Sequence, residues 1–502
     1  MNNLESTTQK FMQYVSKMQN YNEAIATLAW DLRTGAPRKG MEQRSEVIGT
    51  LSEEVFRMST SKEMEEFLSI LATSETPLDP IVQGTIKECK KEFERSKKIP
   101  APLYKEYVIT TSKAETIWEE AKEKSDFAMF QPYLEKIVSL TTEFIQHWGY
   151  KGSKYNTLLD MYEPGITVEQ LDPIFVKLRQ STVPLVASIA ESNHQPDISF
   201  LTKEFPPHDQ REFSLLILKE MGYDFAAGRL DESVHPFATG LNPRDVRITT
   251  KYNPDDFRTA IFGTIHEGGH ALYEQNIDPK YIGTPLCDGS SMGIHESQSR
   301  FWENIVGRSK PFWKKYFTNL TQFFPNQLNG VSLETFYRGI NRVEPSLIRI
   351  EADELTYNLH IMIRYEIEKG LFDGGLNVAD LPQIWNEKMK EYLGVVPTND
   401  ADGVLQDVHW AGGSFGYFPS YSLGNIYAAQ FTHRLRSVMP EYDQYIQQGN
   451  LQPIKNWLTE QIYQYGKSQE PLEILRRVTG EEINPSYLIH YLENKYKDIY
   501  GL

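Results

Sequence analysis

Two cysteines in 502 residues, Cys89 and Cys287, cannot supply a disulfide framework, and so sparse a thiol content fits a reducing compartment. No run of about 18 apolar residues occurs, so no segment reads as a membrane span. The opening MNNLESTTQKFMQYVSKMQN has no apolar stretch behind its basic residues and does not read as a signal peptide. Positive charge is also short. With 52 Lys and Arg against 68 Asp and Glu the chain carries −16, which argues against nucleic acid and anionic membranes as partners. A cytoplasmic location is the expectation. Gly/Ser- or Pro-rich linkers and repeats of fixed period are absent too, so residues 1–502 are expected to fold as a single domain.

What is present points to helices. The 40% hydrophobic and 24% charged residues suffice for a large core. Apolar residues recur at helical spacing through the first 150 residues, clearest in KEMEEFLSILATS and FAMFQPYLEKIVSLTTEFIQHW, with SETPLDP and KKIPAPLY as turns. Strand signals are few. The best is DVRITTKY, 245–252, which alternates Val246, Ile248 and Thr250 with Asp245, Arg247 and Thr249. The expected fold class is mainly α, a large helical domain with a small β-sheet. Its N-terminal helical half covers about 1–230, and a metal- and substrate-binding half about 231–502.

After that strand Asn253 reads as a helix cap and Pro254 as the first helical residue, while Asp255 and Asp256 suit the positive end of the helix dipole. Phe257, Ile261 and Ile265 mark a buried face, and HEGGH follows. His266 and His270 project from one face and can reach one tetrahedral metal at about 2.0–2.1 Å. Glu267, turned about 100° away, can act as general base on a water held there. Gly268 and Gly269 each cost a helix interior up to about 1 kcal/mol relative to Ala. That implies something packed very close, an edge strand or substrate.

A third protein ligand is needed, with one position left open. ALYEQNIDP after His270 lacks the third histidine of the metzincin extension. Glu296 in HESQSRFWENIV is the best candidate, on a segment with Ile294, Phe301, Trp302 and Ile305 at helical spacing. His295 is its rival, but the apolar pattern puts it on a different side. Glu274 and Glu303 read as outer partners of the ligands or as solvated groups.

Six motifs stand together in this chain: HPF at 235–237, DVRIT at 245–249, HEGGH at 266–270, HESQ at 295–298, IRIEAD at 348–353 and GVLQDVHW at 403–410. An early AWDLRTGAP begins at Ala29. On these residues the chain resembles the Taq-type (thermostable carboxypeptidase 1) metallocarboxypeptidases of bacteria, over essentially its whole length. The resemblance implies a zinc enzyme with one ion per chain, replaceable by Co²⁺ or Mn²⁺. It would release single amino acids, with broad specificity, from peptides with a free C-terminus. It also implies a zincin-like metal helix, a small sheet flanking a deep active-site groove, and a homodimer.

The same resemblance makes Arg349 of IRIEAD the group that holds the terminal carboxylate, a role suited to a bidentate guanidinium. The alternative is an ordinary helix salt bridge to Asp353 at i+4, in a helix opened by Pro345; Asp353 could also orient the guanidinium. QDVHWAGGSFGYFPSYSLG, 406–424, is similar to a loop from which helical metallopeptidases take a His and a Tyr for the oxyanion. His409 is the candidate there, with Tyr421 slightly ahead of Tyr417, since aromatics in such loops often only pack. His235, Asp245, Arg247 and Thr249 are expected beside an edge strand that receives extended peptide, unless Asp245 and Arg247 simply pair and His235 caps a turn before Pro236. Rival functions are an endopeptidase or dipeptidyl carboxypeptidase, and a metal-keeping scaffold without catalysis. An intact Glu267 beside both histidines argues against the last.

Overall fold

Residues 3–502 are described by a computed structural model, and helices make up nearly all of its regular structure. The segments with the clearest apolar period are helical. KEMEEFLSIL forms Lys62–Leu71, started by Ser61, whose hydroxyl accepts from Met64 N at 3.0 Å. FAMFQPYLEKIVSLTTEFIQHW forms Phe127–Trp148, started by Asp126 and ended at Gly149, where φ is +84°. Four N-terminal helices, Asn3–Thr34, Met41–Ser59, Lys62–Leu71 and Pro80–Lys98, share a small core around Phe11, Val15, Phe67 and Ile86. A second, much larger cluster runs continuously through the remaining elements and surrounds the HEGGH helix.

Three short strands, β1 (Leu230–Glu232), β2 (Ala238–Asn242) and β3 (Asp245–Thr250), lie in the order β1-β3-β2. β1 runs parallel to β3 with Leu230 opposite Ile248, and β2 runs antiparallel with Ala238 opposite the same residue. The DVRIT strand is therefore central, which corrects the expected edge position. Its alternation does bury Val246 and Ile248. The flank is closed by β1, whose three residues, LDE, are too short to show a period. β2 is the edge strand beside the HEGGH helix. It comes so near that a Cβ on Gly240 would stand 2.7 Å from Glu274 Oε2.

The HEGGH helix, Phe257–Gln275, begins later than Pro254. Asp256, not Asn253, is its cap and accepts from Arg258 N at 3.0 Å. Residues 253–256 form a turn closed by Asp256 N to Asn253 O at 3.2 Å, and two of its carbonyls are also taken from elsewhere: Asn253 O by Gln210 Nε2 and Pro254 O by Phe205 N, both at 2.7 Å. Those bonds hold the turn out of the helix. The buried face is as expected, with Phe257, Ile261 and Ile265 all but inaccessible.

The two glycines of HEGGH meet helices, not an edge strand or substrate. A Cβ on Gly268 would lie 2.8 Å from Leu218 Cδ2, in helix Pro207–Met221. A Cβ on Gly269 would lie 2.7 Å from Gln298 O and Ser299 Cα, in helix Met292–Arg300. Backbone yields less than a side-chain tip. Gly269→Ala is therefore expected to push apart the helices that carry His266 and Glu296, lowering stability by about 1–3 kcal/mol and metal affinity with it. Gly268→Ala is expected to do less. Equilibrium unfolding and chelator competition on both variants check that ranking.

Candidate active site

His266 and His270 sit one turn apart with ring centroids 4.9 Å from each other and planes at 82°. Their Nε2 atoms converge on Oε2 of Glu296, at 3.6 Å from His266 and 3.4 Å from His270. Two ligands at about 2.0–2.1 Å from a tetrahedral ion would be about 3.3–3.4 Å apart, so this donor set fits a divalent metal with little rearrangement. All three donor atoms lie within 4.8 Å of one another, in the one such group among the described residues.

Glu296 is locked in place from two sides. Its helix, Met292–Arg300, is opened by Ser291, and its second oxygen takes Arg300 Nε at 2.6 Å. Burial works against ionisation here, but Arg300 and the histidines outweigh it and hold the carboxyl well below the usual range. On the other side, a Cβ on Gly424 would stand 2.5 Å from Glu296 Cγ, so helix Pro419–Val438 lays bare backbone against the ligand.

Each imidazole has an outer partner. His266 Nδ1 meets Glu303 Oε2 at 2.9 Å, His270 Nδ1 meets His295 Nδ1, and His295 Nε2 meets Glu274 Oε1 at 2.7 Å. With a metal on both Nε2 atoms, the Nδ1 atoms would carry the protons, so that His270 would donate to His295 and His295 to Glu274. His295 is an outer partner on the side its place in the sequence pattern gave it. Glu303 reaches His266 from a π-helix, Phe301–Gly307, which no apolar spacing discloses. Glu267 is buried beside these groups, and burial pushes its carboxyl up to about 7, with His266 opposing.

A second cluster forms around Arg349, which lies in a 3-10 turn, Arg349–Glu351. In such a turn i and i+4 are not neighbours, and the alternative pair with Asp353 does not form. Asp353 instead accepts from Leu355 N, Thr356 N and Thr356 Oγ1, at the start of helix Tyr357–Asp373. Arg349 pairs with Asp407, Nη2 to Oδ1 at 2.8 Å, and the fully buried Arg364 gives Nε to Asp407 Oδ2 at 2.7 Å. Gln406 Oε1 accepts from Arg349 N and Arg364 Nη2. Burial resists ionisation of Asp407, but the two guanidinium groups outweigh it and hold its carboxyl far below the carboxylate range. Nearby His360 is neutral, since burial and Arg364 push it down to about 3. Two buried cations thus share one carboxylate.

His409 follows two residues after Asp407. Burial and the two arginines, with Asp407 opposing, push its imidazole down to about 4, so it is neutral near pH 7. Its ring lies 4.6 Å from Phe418 and 5.5 Å from Tyr417. Tyr417 and Tyr421 meet edge to face at 5.2 Å, and the Tyr421 ring carries the Arg349 guanidinium at 5.1 Å. Burial raises both phenols, so all three side chains are neutral and able to donate. Glu368 ties this loop down, accepting from Trp410 Nε1 and Gly416 N, each at 2.8 Å, and from Tyr155 Oη at 2.6 Å.

The strand residues do not join either cluster by a hydrogen bond among the described residues. Asp245 and Arg247 pair with each other at 2.6 and 2.8 Å, and Arg247 lies over Trp30 of AWDLRTGAP at 5.9 Å. Arg247 also lines a cavity of about 490 Å³ with Asp31, Arg44 and Arg229. Thr249 is buried, its hydroxyl accepting from Phe237 N at 3.0 Å. His235 is exposed, and its carbonyl accepts from Ser233 Oγ at 2.7 Å. Sequence reasoning gave no role to Arg300, Tyr357, Arg364 or Asp407. Asp407 stood inside a recognised motif and carried that much signal; Arg364, in mid-helix, carried none.

Residues 10–496 match the family described as carboxypeptidase Taq (M32) metallopeptidase. The chain is 53% identical over 493 residues to Carboxypeptidase 1 of Bacillus subtilis (strain 168), covering 98% of each. It is 41% identical over 508 residues to thermostable carboxypeptidase 1 of Thermus thermophilus, covering 99% of each. The crystal structure of the M32 carboxypeptidase from Deinococcus radiodurans R1 superposes with a TM-score of 0.96 at 35% identity, over 99% of this chain and 100% of that one. With a metal donor set in place and the family matched over nearly its whole length, the chain belongs to the carboxypeptidase Taq (M32) family and is a metallocarboxypeptidase.

Proposed function

We propose that the protein releases single residues, with broad specificity, from peptides with a free C-terminus. One zinc ion per chain is held by His266, His270 and Glu296, and Co²⁺ or Mn²⁺ can replace it, since imidazole and carboxylate donors suit all three. Bound there, the ion would supply a Lewis acid that polarises the carbonyl and acidifies water. Glu267 accepts the proton of the attacking water and passes it to the leaving amine. His409 and Tyr421, with Tyr417 at its flank, donate to the developing oxyanion, and their neutrality leaves those protons available. Arg349 holds the terminal carboxylate. His235, Asp245 and Arg247 act on the peptide farther from the chemistry. The whole chain works as one catalytic domain in a homodimer, and its free thiols, Cys89 and Cys287, suit a reducing cytoplasm.

The exopeptidase reading is carried by the buried cluster in which Arg349 and Arg364 share Asp407. A buried cation without a counter-charge is destabilising. A terminal carboxylate brings that charge, and an internal peptide bond does not. Metal-loaded protein is expected to cut a ladder of single residues from an unstructured free-acid peptide. The same peptide as its C-terminal amide is expected to react at least about a hundredfold more slowly. Mass spectrometry of the two digests decides; internal cuts in both forms sink the reading.

A further inference from the structure

We infer that Tyr357 is a positioning residue that sets the spacing between the metal ligands and the carboxylate clamp, and so restricts release to one residue at a time. The inference rests on Arg349 being that clamp. Tyr357 is buried at the first position of helix Tyr357–Asp373. The face of its ring carries the Arg300 guanidinium, 4.3 Å from the centroid, and Arg300 in turn holds Glu296. Its hydroxyl accepts from Arg349 Nη1 at 3.2 Å. One stiff side chain therefore touches both the cation that fixes a metal ligand and the cation assigned to the substrate.

Tyr357 is itself held on several sides. Its N–H donates to Asp353 O at 3.0 Å, and the Asp353 carboxylate accepts from Leu355 N, Thr356 N and Thr356 Oγ1. The acidic residue that closes IRIEAD thus fixes the backbone that carries the spacer. The ring edge meets Tyr421 at 6.2 Å and 88°. Asp407 ties Arg349 to Arg364, whereas Tyr357 ties Arg349 to the metal side.

The chemical consequence follows from the substrate. The scissile carbonyl must sit at the metal while the terminal carboxylate sits at Arg349, and in a single-residue cut only the amide nitrogen and one Cα separate the two groups. A clamp able to drift outward would admit one more residue into that gap, so the register depends on a fixed span.

Tyr357→Phe keeps the ring under Arg300 and removes the hydroxyl. It is expected to raise KM for free-acid peptides at least about fivefold with kcat within about twofold, and to let dipeptides appear among the products. Metal affinity by chelator competition is expected to stay at the wild-type value, and stability to fall by no more than the loss of one buried hydrogen bond, about 1–3 kcal/mol. Tyr357→Leu, which also removes the seat of Arg300, is expected to weaken metal affinity at least about tenfold. Arg349→Lys is run alongside. If Arg349→Lys raises KM and Tyr357→Phe changes neither KM nor product register, the spacer role alone is overturned. If Arg349→Lys leaves KM unchanged, the clamp is overturned and the spacer with it. A KM rise in Tyr357→Phe accompanied by a larger loss of stability and weaker metal binding overturns it in favour of a general structural role.

Discussion

Glu267→Gln is expected to keep its metal and lose about a hundred- to ten-thousandfold in turnover. Glu267 stands outside the donor set of His266, His270 and Glu296, so chelator competition should return the wild-type metal affinity. The amide keeps the shape of the side chain but takes no proton from water. The fold is not expected to suffer either. Burial already pushes the Glu267 carboxyl up to about 7, and a neutral amide is easier to bury than a carboxylate. Glu296→Gln is the control, because it removes a ligand and should lose metal and turnover together. Metal content and kcat of the two variants separate the base from the ligand. A Glu267→Gln enzyme active within about tenfold of wild type would leave the proton transfer without its assigned base.

The metal helix was legible because everything it needs is local. Four-residue spacing puts His266 and His270 on one face, and the period of Phe257, Ile261 and Ile265 gives the face opposite solvent. What escaped was set by partners from other elements. The helix starts late because Gln210 and Phe205 capture the carbonyls of its expected first turn. The DVRIT strand is central because a three-residue strand with no readable pattern pairs with its far side. Gly268 and Gly269 did announce close packing, yet a glycine does not say what packs against it; the neighbours are two helices. The IRIEAD motif singles out Arg349 and offers Asp353, four residues on, only as an alternative partner, whereas the carboxylate it pairs with lies in another motif, at Asp407. Periodicity records which way a side chain faces along its own element. It does not record what arrives there from elsewhere in the chain.

The same long-range pairing makes Asp407 the position with the largest expected effect on stability. Asp407→Asn leaves Arg349 and Arg364 buried without a counter-charge, and about 3–5 kcal/mol of unfolding free energy is expected to go with it near pH 7. Neither guanidinium has water to turn to, with side-chain exposures of 7% and 1%. An amide oxygen can accept one of their hydrogen bonds but cancels no charge. The pH dependence has a definite sign. The folded carboxyl of Asp407 ionises at lower pH than its unfolded value of about 3.9, so its contribution is complete above about pH 4 and fades as pH falls toward the folded value. The gap between wild type and Asp407→Asn should therefore be widest near neutrality and narrow below about pH 4. Urea unfolding of both proteins at pH 7 and pH 3 measures it. Glu296 and Glu303 are held ionised in the same way and share the acid slope of both proteins, so the difference between the two curves belongs to Asp407. In Asp407→Asn a free C-terminal carboxylate becomes the nearest available counter-charge for the pair. Adding a free-acid dipeptide should raise the unfolding midpoint of the variant more than that of wild type, and the matching amide should not. A variant that lost less than about 1 kcal/mol would mean that the two arginines are compensated elsewhere, and the excess buried charge on which the exopeptidase reading rests would go with it.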